Sequence, residues 1–258
     1  MRATDLRIYA LREVRLDLID AATTAEVRRT IIGASTLTVD LPARFLTARI
    51  DTVTHARAAG RRWEYVAIEN QPALGSFRLT FEDRLINRLR QDTSRFTTQA
   101  AQTAGDIITA FCLEADVPVT VDPLVGQVYI EGAGRSILKP TNSWIEIAAL
   151  ADRLGARAFS TGDSIIVARD TELLAADSTV IRPSSPPLRA DIAFTIDTAR
   201  DQSTARVDVA PNWTLEPGSV VRITRSGPAN GRWLVDTWTH PIPEHRGAGQ
   251  IHLTRPTR

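Results

Sequence analysis

The densest grouping of residues able to act on a substrate is "HPIPEH", which places His240, Glu244 and His245 within six positions. Two histidines and a carboxylate are the raw material of a metal site or of general acid–base catalysis. Histidines that hold a metal through a local motif need a backbone presenting them on one face, as in H-E-x-x-H on a helix. Here Pro241 and Pro243 break the segment, so further ligands would have to converge from elsewhere. The other two histidines, His55 and His252, complete no such spacing. Cys112 is the only cysteine, which excludes an intrachain disulfide and a cysteine cluster. It lies between Phe111 and Leu113 in "IITAFCLEA", the setting of a buried small hydrophobe and not of a reactive thiolate. No G-x-S-x-G elbow or Walker loop is present, and the glycines of "GPANG" and "EGAGR" read as hairpin turns. Carboxylates are plentiful, but no pair is marked out as a glycosidase couple. The sequence therefore predicts no catalytic residue, no cofactor, no metal and no enzyme.

The elements that would position any site fall in the order β, α/β, β. In the first ninety residues "LRIYAL" and "VRLDLID" read as short strands, and "STLTVDLP" sets Leu37, Val39 and Leu41 on one face. "RIDTVTHAR" and "RWEYVAIENQ" read as a hairpin about "AAG", followed by the strand "SFRLTFED" and a closing helix in "RLINRLR". From 93 to 180 the pattern is that of a small α/β module. Thr103 and Asp106 form one capping box, Ser143 and Glu146 a second, and Gly155 ends the second helix. Strands "VPVTVD" and "RAFST" follow the two helices, and "RAFSTGDSIIVAR" turns at Gly162–Asp163. The proline-rich joint "RPSSPPLRA" leads from 181–190 into a last β region, 191–258, of five strands without a helix. There Asn230–Gly231 turns the chain into "GRWLVDTWTH". Strict alternation puts Trp233 and Trp238 on opposite faces and ends the strand at His240.

Composition narrows the partners. The formal charge is +1, from 31 basic and 30 acidic residues, which leaves no electrostatic footprint for sequence-specific nucleic-acid or membrane binding. Lys139 is the only lysine, a bias that points to a GC-rich bacterial or phage genome. The N-terminus lacks an apolar segment and no stretch approaches the roughly 20 apolar residues of a membrane span. Synthesis and folding in a cytoplasm are therefore expected.

Several segments, taken in order, resemble the tail hub proteins of long-tailed phages of actinobacteria. These are "LTFEDRLINRLR" (79–90), "QAAQTAGDIITAFCLEADVPV" (99–119), "NSWIEIAALADRLGARAFSTGDSIIVA" (142–168) and "GRWLVDTWTHPI" (231–242), with "STLTVDLP" near the start. The resemblance covers nearly the whole chain and extends to the hub of contractile tails. It implies a mainly β fold with an α+β insertion: two small antiparallel β-barrel-like tube domains (1–92 and 191–258) flanking the small α/β module. It further implies a virion protein at the distal tail tip, assembled in the host cytoplasm, in which three chains form a pseudo-sixfold ring around the DNA exit channel. Its partners would be the distal tail protein, the tape measure and tip or receptor-binding proteins, with DNA passing unread. No cell-wall hydrolase module accompanies the motifs. Trp213, Trp233 and Trp238 are the candidate subunit or domain interface. An alternative function gives the same aromatics to a carbohydrate-binding adhesin, and a weaker one is a peptidoglycan hydrolase with a base at His240 or a carboxylate pair.

Overall fold

A computed structural model describes residues 6–10, 13–14, 16–31, 33–45, 52–71, 74–93, 96–97, 102–130, 136–137, 142–182, 193–197, 202–209, 215–242 and 249–256. The first part comprises β1 (Arg7–Ala10), β2 (Glu13–Val14), α1 (Leu16–Ala21), β3 (Thr24–Thr30), β4 (Thr36–Pro42), β5 (Val53–Ala58), β6 (Arg61–Gln71), β7 (Ser76–Asp83) and α2 (Arg84–Gln91). The alternation read from "STLTVDLP" holds throughout β4, with Leu37, Val39 and Leu41 fully buried. The β5–β6 hairpin turns at Ala59 and Gly60, both at positive φ. "VRLDLID" is a correction: it forms α1 and not a strand, because the adjacent residues Leu18 and Ile19 both pack on the core. A strand would send neighbours to opposite faces.

The middle part contains β8 (Phe96–Thr97), β9 (Gln102–Thr103), α3 (Ala104–Glu114), β10 (Val119–Val121), α4 (Pro123–Gly126), β11 (Tyr129–Ile130), β12 (Ser136–Ile137), α5 (Ser143–Arg153), β13 (Ala156–Ser160), β14 (Ile165–Arg169) and α6 (Asp170–Ala175). β13 and β14 form the expected hairpin, and β10 joins β14 in parallel. The capping box of α3 is present: the Thr103 hydroxyl accepts from the Asp106 N–H while the Asp106 carboxylate accepts from Thr103. In α5 the cap falls one residue earlier than expected. Asn142 accepts from the Ile145 N–H at 3.1 Å, which frees Ser143 to donate to the Asp92 carboxylate. Cys112 is buried in this module, and burial pushes its thiol up to about 12. Leu85, Ile86 and Leu89 of α2 also pack here, so the helix that follows the first strands belongs to the module's core.

The last part holds β15 (Ser178–Ile181), β16 (Ala193–Asp197), β17 (Gln202–Val209), β18 (Val220–Ile223), β19 (Gly231–Ile242) and β20 (Gly249–Pro256). The fold is mostly β, with a curled half-barrel sheet. Its main path runs β16–β17–β20–β19–β3–β4–β7–β6–β5–β1–β2, with β15 and β18 branching from β19, 13 strands in all. The junction is β19. Gly231–Leu234 pair with β18, while Thr237–Ile242 pair with β3 of the first part. One apolar core serves both halves, drawing Trp63, Phe77 and Phe81 from one and Trp233, Trp238 and Leu253 from the other.

Candidate functional site

Two surfaces of this sheet carry polar chemistry. The first is the face opposite the core. Register aligns Asp208, Gln250, Thr239, Arg28, Thr36 and Glu82 across β17, β20, β19, β3, β4 and β7, so one polar row crosses the junction of the halves without a break. A groove of about 400 Å³ lies on this face over β19, β3, β4 and β7. Among its charges Asp40 and Arg78 are paired with each other. Asp40 accepts two hydrogen bonds from Arg78, at 2.7 and 3.0 Å, and a third from Thr24 at 2.7 Å. The Arg78 hydrogen bonds hold the Asp40 carboxyl below the usual carboxylate range.

The second is a cleft of about 530 Å³ where both halves of the sheet meet the α/β module. The Arg29 side chain is 3% exposed, lies over the Trp238 ring at 5.0 Å and donates to the Ala59 carbonyl at 2.6 Å. Arg29 and Arg61 converge on the half-exposed Glu216 carboxylate of the last part. Burial, then the charge of Arg61, pulls the Arg29 guanidinium down to about 10, against the opposing pull of Glu216. Asp83, 3.7 Å from Arg61, also caps α2 by accepting from Leu85 and Ile86. Gly162 of the β13–β14 turn closes over Arg61; a Cβ there would come within 2.8 Å of the guanidinium carbon. The cluster thus ties three parts of the chain together. Sequence reasoning missed it because buried Arg29 interrupts the apolar alternation of β3, a strand not anticipated at all.

A third contact completes the docking of the module. Phe159, Ile31 and Leu234 form a small separate core, with Leu173 and Leu174 beside it. Arg157 is held by Asp170 and reaches Asp236 of the sheet at 3.6 Å. Arg232 donates to the Leu174 and Ala176 carbonyls at the end of α6.

Of the three aromatic candidates, Trp233 and Trp238 lie within the described residues. Trp213 lies outside the described residues. Trp233 and Trp238 are both fully buried and both face the shared core, a correction to the strict alternation. The register slips between Val235 and Thr237, and that bulge at Asp236 returns Trp238 to the face of Trp233. Trp233 donates to the Ala229 carbonyl at 2.8 Å and carries the Arg255 guanidinium over its ring at 4.3 Å. Neither ring offers a stacking surface to a sugar. His240 does not end the strand: β19 runs on through Pro241 to Ile242, and the imidazole, 1% exposed, stacks on Trp238 at 4.9 Å. A base so placed cannot reach a substrate. Among the described residues no group of His, Cys, Asp and Glu is arranged to hold a metal, and no helix is long and apolar enough to cross a membrane. His245 and Glu244 lie outside the described residues.

With this geometry in place, comparison with known proteins identifies the architecture. No protein-family model matches the sequence, and no curated protein matches it closely. Solved structures do. The 43 kDa tail protein of prophage MuSo2 from Shewanella oneidensis superposes with a TM-score of 0.65 at 11% identity, over 98% of this chain and 97% of that one. The fold is that of phage tail proteins. A tail protein from Neisseria meningitidis gives 0.65 at 9% identity, covering 98% of this chain and 96% of its own. The Escherichia coli protein c3393 gives 0.64 at 13% identity, over 98% and 77%. That protein is a component of the type VI secretion system with structural similarity to the T4 tail proteins gp27 and gp5.

Proposed function

We propose that this chain is a structural hub subunit of a phage tail, at the distal end of the tail tube. Three copies close a pseudo-sixfold ring whose inner wall is the polar face of the sheet, adapting the tube to the tip and lining the DNA exit channel. The observation that carries this is the polar row running unbroken from β17 to β7 across both halves of one chain. A wall for sliding DNA must avoid a stripe of free arginine, which would hold phosphates; here Arg78 is neutralised in place by Asp40. The tail-protein fold supports the reading. The neighbours of the ring would be the distal tail protein, the tape measure and tip or receptor-binding proteins. An actinobacterial phage as the source is what the motif order and the arginine-for-lysine bias support.

The test is native mass spectrometry of the purified protein together with negative-stain images of tails carrying a C-terminal label. Three-copy rings with an open centre, labelled at the distal tip, are expected. A protein that stays monomeric at high concentration, with tails that assemble normally without it, would overturn the proposal.

A further inference from the structure

The α/β module and the sheet keep separate cores, and a small third one joins them, in which Phe159 packs with Ile31 and Leu234. Asp236 lies two positions after Leu234 on β19 and meets the module there, its carboxylate 3.6 Å from Arg157. That side chain is 15% exposed, and its oxygens are poorly served. Oδ1 accepts no hydrogen bond, and Oδ2 is reached among the described residues only by the Thr237 hydroxyl, at 3.3 Å. The single Thr237 proton is also within reach of the Thr30 oxygen, at 3.2 Å. Arg157 commits both Nε and Nη2 to Asp170 at the start of α6, which leaves its Nη1 beyond hydrogen-bond distance of Asp236. The other charged groups nearby supply no donor. Arg28 of β3 and His252 of β20 act on Asp236 only through space. Partial burial, then the charge of Arg206 on β17, hold His252 below its ordinary value, so it is neutral at pH 7. Arg232, further back along β19, donates to the Leu174 and Ala176 carbonyls of the module. A carboxylate buried with so few donors is better tolerated with a proton than without one. Burial accordingly holds the Asp236 carboxyl above the usual carboxylate range, against the pull of Arg157.

We propose that Asp236 is an acid-set latch on the α/β module: the module grips the sheet more tightly when this carboxyl carries a proton and lifts more readily when it is ionised. Lifting returns the carboxyl to water, where it ionises near its ordinary value of about 3.9. Because the docked state holds the proton more firmly than the lifted one, the proton in turn favours docking. The gain in docking appears as pH falls through the raised, docked value and is complete below the lower, lifted one. The sign is opposite to that of a carboxylate held low by a good ion pair, such as Asp40. The latch is a property of one chain and is independent of any ring that the chain builds.

Leu234, 1% exposed where Phe159 covers it, supplies the readout. In the full chain carrying Leu234→Cys, the introduced thiol reacts with a dipyridyl disulfide when the module lifts, and mass spectrometry separates it from buried Cys112. At each pH the rate is divided by that of the same chain unfolded in guanidinium, which removes the thiol's own pH dependence and leaves the open fraction. That fraction should fall about threefold or more between pH 7 and pH 4.5. Adding Asp236→Asn should lower it at pH 7 to the acid level and abolish the pH response. A parent thiol that stays unreactive, or whose open fraction is the same across the range, would overturn the latch. So would an Asp236→Asn chain that opens more than its parent at pH 7, or that keeps the parent's pH response.

Discussion

Gly218 is the point at which the docking of the α/β module can be tested by one methyl group. Its φ is +85°, and a Cβ at that position would lie 2.5 Å from Cζ of Phe159 and 2.8 Å from the adjacent ring carbon. Both effects of Gly218→Ala are unfavourable. An alanine in the left-handed region costs about 1–2 kcal/mol. The clash must in addition displace a buried phenyl ring from the pocket of Ile31 and Leu234, costing a further 2 kcal/mol or so of the transfer energy of a large apolar side chain. Phe159→Ala alone should cost about 3–4 kcal/mol through the lost burial and the cavity. In the double variant the ring is gone, so only the backbone cost of Gly218→Ala remains. The three variants should therefore be non-additive, with a coupling of about 2 kcal/mol. Urea denaturation followed by circular dichroism measures the cycle. Hydrogen exchange of the β13–β14 amides reports whether the loss is local to the module's contact with the sheet. Strict additivity would refute the claim that Gly218 is required by Phe159.

Other consequences follow from individual groups. Cys112, buried and with its thiol pushed up to about 12, should be inert to Ellman's reagent at pH 8 in the native protein and react fully in 6 M guanidinium. Asp40 is held below its ordinary value, so its contribution to stability is full above the unfolded carboxyl value of about 3.9 and is lost as pH falls through the lower folded value. Asp40→Asn should flatten the acid limb of a urea-midpoint series between pH 5 and pH 2, and an unchanged slope would refute the pairing. Glu216→Gln leaves two arginines at the cleft short of a carboxylate. Because Glu216 is half-exposed, the expected loss is about 1–2 kcal/mol, at the low end for a broken ion pair. Adding Arg61→Met should recover part of it in thermal unfolding.

Periodicity made much of the fold legible. In β4, with one apolar and one polar face, alternation placed Leu37, Val39 and Leu41 correctly. The α3 capping box, the Gly155 stop and the Gly162 turn were likewise readable, because each depends on residues close in sequence. Ser143 shows the margin of error of such local rules. It has a glutamate at the right distance, but Asn142 beside it takes the cap, and Asp92, distant in sequence, recruits the serine hydroxyl.

What was not legible has one physical cause: a residue whose environment is set by a distant strand. Arg29 looks like the solvated position of a charged segment. Only the approach of β19, which brings Trp238 opposite it, and of Glu216, which brings a carboxylate, makes its burial tolerable. The tryptophan assignment failed for the related reason that a bulge leaves no reliable mark in a single sequence. Asp236 occupies the bulge, its carbonyl accepts from the Ile31 N–H at 2.9 Å, and its carboxylate faces Arg157 from the module. The same irregularity that returns Trp238 to the core therefore presents a carboxylate to the docked module. β19 changes partner there as well, from β18 to β3. In "GRWLVDTWTH" the aspartate between the tryptophans is what allows both rings to serve one core and one strand to join two halves.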